Sequence, residues 1–109
     1  MNSLTPKKLH INVSAINNTA TLHLSGHFSF GAHREFKNAY KIQIDNASIS
    51  NIVINLADVQ YLDSSALGML LILREHVQST SKTLTLSRPS TITSRTFDIA
   101  GFDQLFSIN

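Results

Sequence analysis

The stretch from Asn51 to Gln78, NIVINLADVQYLDSSALGMLLILREHVQ, constrains this chain more than any other. Ile52, Val53, Ile54 and Leu56 form a nearly continuous apolar run, which suits a strand covered on both faces. From Ala66 the spacing becomes helical: Ala66, Leu70, Leu73 and Val77 fall on one side, with Leu67 and Leu71 beside them. Asp63, Ser64 and Ser65 stand at the junction, where capping residues belong. A helix start leaves N–H groups without partners and carries partial positive charge, so a phosphate on a serine there is compatible with folding. Capping alone also accounts for these three residues.

On the same helical projection Gly68, Met69, Ile72 and Glu75 lie away from the core stripe. Ser65 falls near that side and Ser64 borders it. A smooth, partly apolar surface beside two hydroxyls reads as a docking face. Packing of Met69 and Ile72 beneath a neighbouring element is the competing reading.

At 109 residues and 42% hydrophobic content, one domain with a single core is expected. Residues 1–8 read as a polar tail and 9–109 as the domain. The net charge of +2 comes from nine basic and seven acidic residues. The basic ones are scattered, with no stripe and no aromatic platform, which argues against nucleic acid as a partner. The absence of cysteine excludes disulfides, thiol catalysis and cysteine-based zinc sites. The first residues hold no apolar signal segment, and no run approaches the roughly 18 apolar residues of a membrane span. A cytoplasmic location without membrane insertion is the expectation.

Leu9, Ile11 and Val13 alternate with polar residues, as do Ala20, Leu22 and Leu24; Asn17-Asn18 between them predicts a hairpin at the sheet edge. Ser25-Gly26-His27 reads as a break. A helix follows over about Gly31–Lys41, then the strand Ile52–Leu56, a loop over Ala57–Leu62 and the serine-led helix to Gln78. Leu84 and Leu86 mark the next strand. Ile92 to Ala100 reads as a helix closed by Gly101, and Phe102, Leu105, Phe106 and Ile108 form an apolar ending with room for a short last strand. The order β-β-α-β-α-β-α gives an α/β fold with a mixed, mostly parallel sheet of four to five strands, and helices mainly on one face. Sites then gather at the carboxyl ends of the parallel strands, near Asp58 and Asp63.

Catalytic patterns are absent. Leu62-Asp63-Ser64-Ser65-Ala66 is not a G-x-S-x-G elbow, and four widely spaced glycines cannot build a phosphate-cradling loop. None of the five histidines pairs at helical i, i+4 spacing, so neither metal nor cofactor is expected. His10 and His23 fall on paired strands and could face each other. Asp58 and Asp63 could form an acid/base pair, but turn and cap roles suit loop aspartates better.

The segment IVINLADVQYLDSSALGMLL resembles the signature of the STAS-domain anti-sigma factor antagonists. That signature is an apolar strand ending in D-L, a loop, an apolar residue, then D-S-S/T-G-L-G. Leu24-Ser25-Gly26 with Phe28 is similar to the family's turn after its second strand. Phe97 to Phe102 with Leu105-Phe106 is similar to its closing segment.

The resemblance implies a single STAS-like domain acting in a partner switch, and no enzyme. Ser64 is then the residue phosphorylated, with Ser65 as second choice. The kinase is a GHKL-type serine kinase that is also the anti-sigma factor, and a PPM-type phosphatase resets the switch. Asp63, Ser64, Ser65, Gly68, Met69, Ile72, Gly26 and His27 would form the partner-binding surface of a monomer or weak dimer. Two departures stand out. Ala66 replaces the motif's glycine, which should stiffen the first helical turn and narrow a kinase's approach. Asn55 replaces the strand-end aspartate, keeping the shape without the charge. The rival reading is a non-switching STAS module, either an accessory subunit of a lipid-transport ATPase or a signalling scaffold. A small-ligand domain using the strand ends is a third.

Overall fold

Alternation of apolar and polar residues draws the first two runs into a hairpin. In the computed structural model, which describes residues 8–109, β1 (Leu9–Ile16) pairs antiparallel with β2 (Thr19–Phe28). The expected tail falls outside the described residues except for Lys8. Asn17 turns the chain with φ 57°, which asparagine tolerates. A 3₁₀ turn (Phe30–Ala32) leads into α1 (His33–Asp45), and β3 (Asn51–Leu62), α2 (Ser64–Gln78), β4 (Thr83–Ser87) and α3 (Thr91–Ala100) follow. A second 3₁₀ turn (Phe102–Gln104) precedes the short β5 (Ser107–Ile108). The sheet order is β1-β2-β3-β4-β5, antiparallel at the first pair and parallel elsewhere.

The core lies on one face of this sheet. Ala20, Leu22 and Leu24 of β2, Ile52, Ile54 and Leu56 of β3, and Leu86 of β4 are fully buried there with Ala66, Leu70 and Leu73 of α2. Phe28, Phe36 and Tyr40 extend it in a chain of tilted rings. The alternate residues of β2 and β3, among them Thr21, His23, Val53 and Asn55, are only half-buried. The central strand is thus buried chiefly on one face, not on both as its apolar run suggested.

Three further expectations change. The first helix is longer than Gly31–Lys41, because Gln43 and Ile44 continue its packed face beyond Phe36 and Tyr40. Ser25-Gly26-His27 is not a break, and Ala57–Leu62 is not a loop. Both belong to strands that continue in parallel to Phe28 and Leu62. The alternation is lost there because the ladder is bulged. As β2 advances from His23 to Ser25, β3 advances from Asn55 to Asp58; as β2 advances from Gly26 to His27, β3 advances from Val59 to Tyr61. Buried positions on β3 therefore shift from Leu56 to Val59.

His10 and His23 do not face each other, since His10 lies opposite Ser25 and His23 opposite Asn12. The His23 ring instead meets Asp58 at the bulge, Nε2 to Oδ2 2.7 Å. Asn55 Oδ1 accepts the Ala57 N–H at 3.0 Å, which satisfies a backbone donor where the ladder shifts.

The remaining elements are closed by local chemistry. Lys82 Nζ donates to the carbonyls of Asn46 and Ile49, holding the polar connection after α1. The Ser90 hydroxyl accepts the Thr93 N–H, and Gly101 ends α3 with φ 73°, as expected of a left-handed C-cap. Phe97, Phe102 and Phe106 stack with centroids 5.1 and 4.8 Å apart and seal the end of the domain.

Gly26 carries the tightest backbone demand. It has φ 98°, and a Cβ there would collide with the carbonyl of Lys8, just before β1. Gly26→Ala should cost roughly 2 kcal/mol or more. Thermal unfolding should show the midpoint lowered by about 10 °C. A shift within a degree of wild type would refute this account of the bulge.

Candidate functional site

The site is built where β3 hands over to α2. Asp63 keeps extended geometry (φ −104°, ψ 179°), and its N–H donates to the Phe28 carbonyl at 3.2 Å. Its Oδ1 accepts the Ala66 N–H at 3.0 Å, and its carbonyl accepts the Leu67 N–H at 3.3 Å. Asp63 is therefore the N-cap, tied at once to the end of β2 and to the first turn of α2. Ser64 and Ser65 take the first two helical positions, where backbone N–H groups have no intrahelical acceptor. Ser64 is exposed and Ser65 half-buried.

Along α2, Ser64, Gly68, Ile72 and Glu75 follow one another at helical spacing on the outer side. Ile72 is 46% exposed, and a Cβ on Gly68 would meet nothing within 4 Å beyond its chain neighbours and its own helical backbone. Met69 does not belong to this surface. It is only 5% exposed, because α1 packs across α2 and covers it. A small cleft of about 90 Å³ remains between the two helices, lined by His33, Phe36, Lys37, Tyr40, Met69 and Ile72. Burial pushes the Tyr40 hydroxyl above its ordinary 10.0.

His27 lies opposite Tyr61 in the β2–β3 register and packs on its ring, with centroids 5.3 Å apart. This places His27 beside the residues that run into Asp63. Gly26, one position earlier, pairs with Val59 and makes a backbone contribution. It also lines a broad open groove of about 630 Å³ with Lys8, His10, Ser25 and Asp58.

Two exposed aromatics near the junction escaped the sequence reading. Tyr61 is 50% exposed two residues before Asp63, and Phe30 is 73% exposed two residues beyond the anchoring Phe28. Phe30 follows Phe28 at strand spacing, yet the strand ends between them. Only knowledge of that endpoint separates the buried ring from the exposed one. Asp58 and Asp63 perform different tasks, one against His23 and one as a cap, and do not form an acid/base pair. Among the described residues, no group of three or more His, Cys, Asp or Glu side chains converges to hold a metal ion. None of their helices is long and apolar enough to cross a membrane.

Two outcomes follow from this geometry. Asp63→Ala should cost about 1 kcal/mol through loss of the cap, and Gly68→Ala should gain up to about 1 kcal/mol because its Cβ enters open space. Opposite shifts of the thermal midpoint would show both. For Tyr40, the folded-state pKa lies above the unfolded one, so its contribution to stability is complete below the unfolded value of 10.0. That contribution is lost as pH rises through the folded value. Between these two values the midpoint of wild type should fall faster with rising pH than that of Tyr40→Phe.

Comparison with known proteins agrees with this architecture. The profile of the STAS domain matches residues 10–109. A STAS-domain containing protein of Pseudomonas aeruginosa (strain UCBPP-PA14) is 38% identical over 98 residues, covering 88% of this chain and 93% of that protein. An anti-sigma factor antagonist from Mycobacterium paratuberculosis superposes with TM-score 0.82 at 19% identity, covering 93% of this chain and 85% of the other. The Bacillus cell-fate determinant SpoIIAA in its phosphorylated form gives TM-score 0.71 at 17% identity, covering 92% and 91%. The fold is thus that of the anti-sigma factor antagonists, and the chain belongs to the STAS-domain family.

Proposed function

We propose that this protein is an anti-sigma factor antagonist in a serine-phosphorylation partner switch. The observation that carries the reading is an exposed Ser64 directly after the capping Asp63, at the head of an exposed strip on α2. Ser64 is the phosphoacceptor and Ser65, half-buried, the second choice. The unmodified protein binds a GHKL-type serine kinase that is also the anti-sigma factor, and a PPM-type phosphatase restores it after phosphorylation. Asp63, Ser64, Ser65, Gly68 and Ile72 form the docking strip. His27, with Tyr61 against it, extends the strip across the strand ends, and Gly26 shapes their backbone. The protein serves as ligand and substrate and performs no catalysis itself.

The energetics support a switch. Phosphorylation adds about 1.5 to 2 negative charges beside the Asp63 carboxylate. The open helix end offsets part of that repulsion, by roughly 0.3–1 kcal/mol, and Ser64 lies outside the core. The fold therefore survives. An interface that covers the same spot must desolvate or repel the new charge. A penalty of about 3–4 kcal/mol weakens binding by some hundreds of fold.

Intact-mass spectrometry of protein from its native cells should reveal a fraction heavier by one phosphate, lost in Ser64→Ala. The phosphorylated form should bind the kinase some hundreds of fold more weakly, with an unchanged circular dichroism spectrum. Persistence of the phosphate in Ser64→Ala would move the site to Ser65. A chain never phosphorylated under any growth condition would instead be a constitutive interaction module, such as a transporter subunit or scaffold. Gly68→Ala, stabilising in isolation, should weaken the kinase complex; an unaffected complex would remove Gly68 from the docking strip.

A further inference from the structure

We infer that the outer edge of β1 is a self-association surface, on which a second copy of this chain adds its own β1 antiparallel about a two-fold axis at Asn12. Among the described residues β1 is the terminal strand of the sheet, and it is eight residues long. Ile16 pairs with Thr19 across the two-residue turn, and the Lys8 carbonyl accepts the His27 N–H. The even-numbered residues of β1 therefore direct their backbone groups to β2, and Leu9, Ile11, Val13 and Ala15 direct theirs outward.

Natural sheets guard such an edge with charge, proline, a bulge or brevity. The sequence Leu9 to Ile16, LHINVSAI, holds no charged residue and no proline, and its register with β2 is unbroken. The opposite edge, β5, is guarded by having only two residues. β1 also leaves Val13 44% and Ile16 71% exposed.

The occupant follows from the pattern of the strand itself. A two-fold axis normal to the sheet keeps the core face of one copy continuous with that of the other, so paired residues must share parity. Centred on Asn12, Ile11 meets Val13 of the second copy and Leu9 meets Ala15, all on the core face. On the other face His10 meets Ser14, Asn12 meets Asn12, and the stem of Lys8 covers exposed Ile16. Apolar residues face apolar ones and polar residues face polar ones throughout the core of the pairing, and the outward backbone groups are matched. A slip of one residue sets apolar against polar. With no charge on the strand to select a different partner, the strand best complements itself. The switch junction stays open in such a pair, because β2 separates β1 from the strand that leads into Ser64.

Cysteine scanning tests this directly, since the chain has no cysteine of its own. Asn12→Cys places two thiols in a non-hydrogen-bonded pair, with Cα atoms about 4.5 Å apart, within disulfide reach. Ser14→Cys places its two thiols about 13 Å apart along the strands. Mild oxidation should crosslink Asn12→Cys about tenfold faster than Ser14→Cys, both substitutions lying on the solvent face. In sedimentation equilibrium the wild-type chain should rise from 12.0 kDa to twice that mass with concentration. Val13→Pro, which removes an outward N–H and leaves the β1–β2 ladder intact, should remain at the lower mass. Far-UV circular dichroism checks that each variant is folded. Equal crosslinking at the two positions, or a wild-type chain that stays at 12.0 kDa at every concentration, overturns the inference. That includes the case in which β1 is reserved for a strand of a different protein.

Discussion

The parallel pairing of β2 with β3, closed by the hydrogen bond from the Asp63 N–H to the Phe28 carbonyl, fixes where α2 begins. The two strands run beside each other from Thr19 and Asn51 to Phe28 and Leu62, although the ladder shifts twice. Each shift interrupts regular backbone pairing, which is costly unless the groups involved find partners. At the first shift Asn55 Oδ1 takes up the Ala57 N–H, and the His23–Asp58 side-chain contact ties the two strands together. Gly26 permits the close approach of β1 on the other side. The bulged segment therefore continues the sheet and delivers Asp63 already extended to its capping position.

From that fixed start, α2 divides a buried face from an exposed one by angle around its axis. Ala66, Leu70, Leu73 and Val77 face the sheet, and Met69 widens the buried arc because α1 lies over it. The strip through Ser64, Gly68, Ile72 and Glu75 lies on the outer side. A charge added to Ser64 thus meets solvent and open N–H groups in the free protein. In a complex it would meet a desolvated surface. The proposed switch would draw its asymmetry from position on the helix, without any change of fold.

The elements most legible in the sequence were those whose pattern matched a regular period. The hairpin, the core stripe of α2, the Gly101 cap and the single-domain α/β order all followed from alternation, helical spacing and turn chemistry. The misread segments were irregular for physical reasons. Asp58 in β3 and Gly26 in β2 look like loop residues because strands disfavour them, yet bulges make room for them. Met69 was misplaced because a helical projection shows the angle of a side chain but not the neighbour that covers it. At the site, Asp63 and Ser64 were visible through capping chemistry. Tyr61 and Phe30 were not, because their exposure depends on where two strands stop.

The two departures from the family signature can now be weighed by location. Ala66 is fully buried, and its N–H is the one bonded by the Asp63 carboxylate. Its methyl group points into the core, away from the outer strip, so it cannot narrow the approach to Ser64 as the sequence suggested. It replaces a flexible position by a good helix former in the turn that presents the hydroxyl. Asn55 is not at the end of its strand. It sits before the first bulge, with Oδ1 engaged by the Ala57 N–H. An aspartate there would accept the same bond, and the amide accepts it without adding negative charge near Asp58. Both substitutions act on the scaffold that holds Asp63 and Ser64, and neither removes a group from the surface a partner would touch.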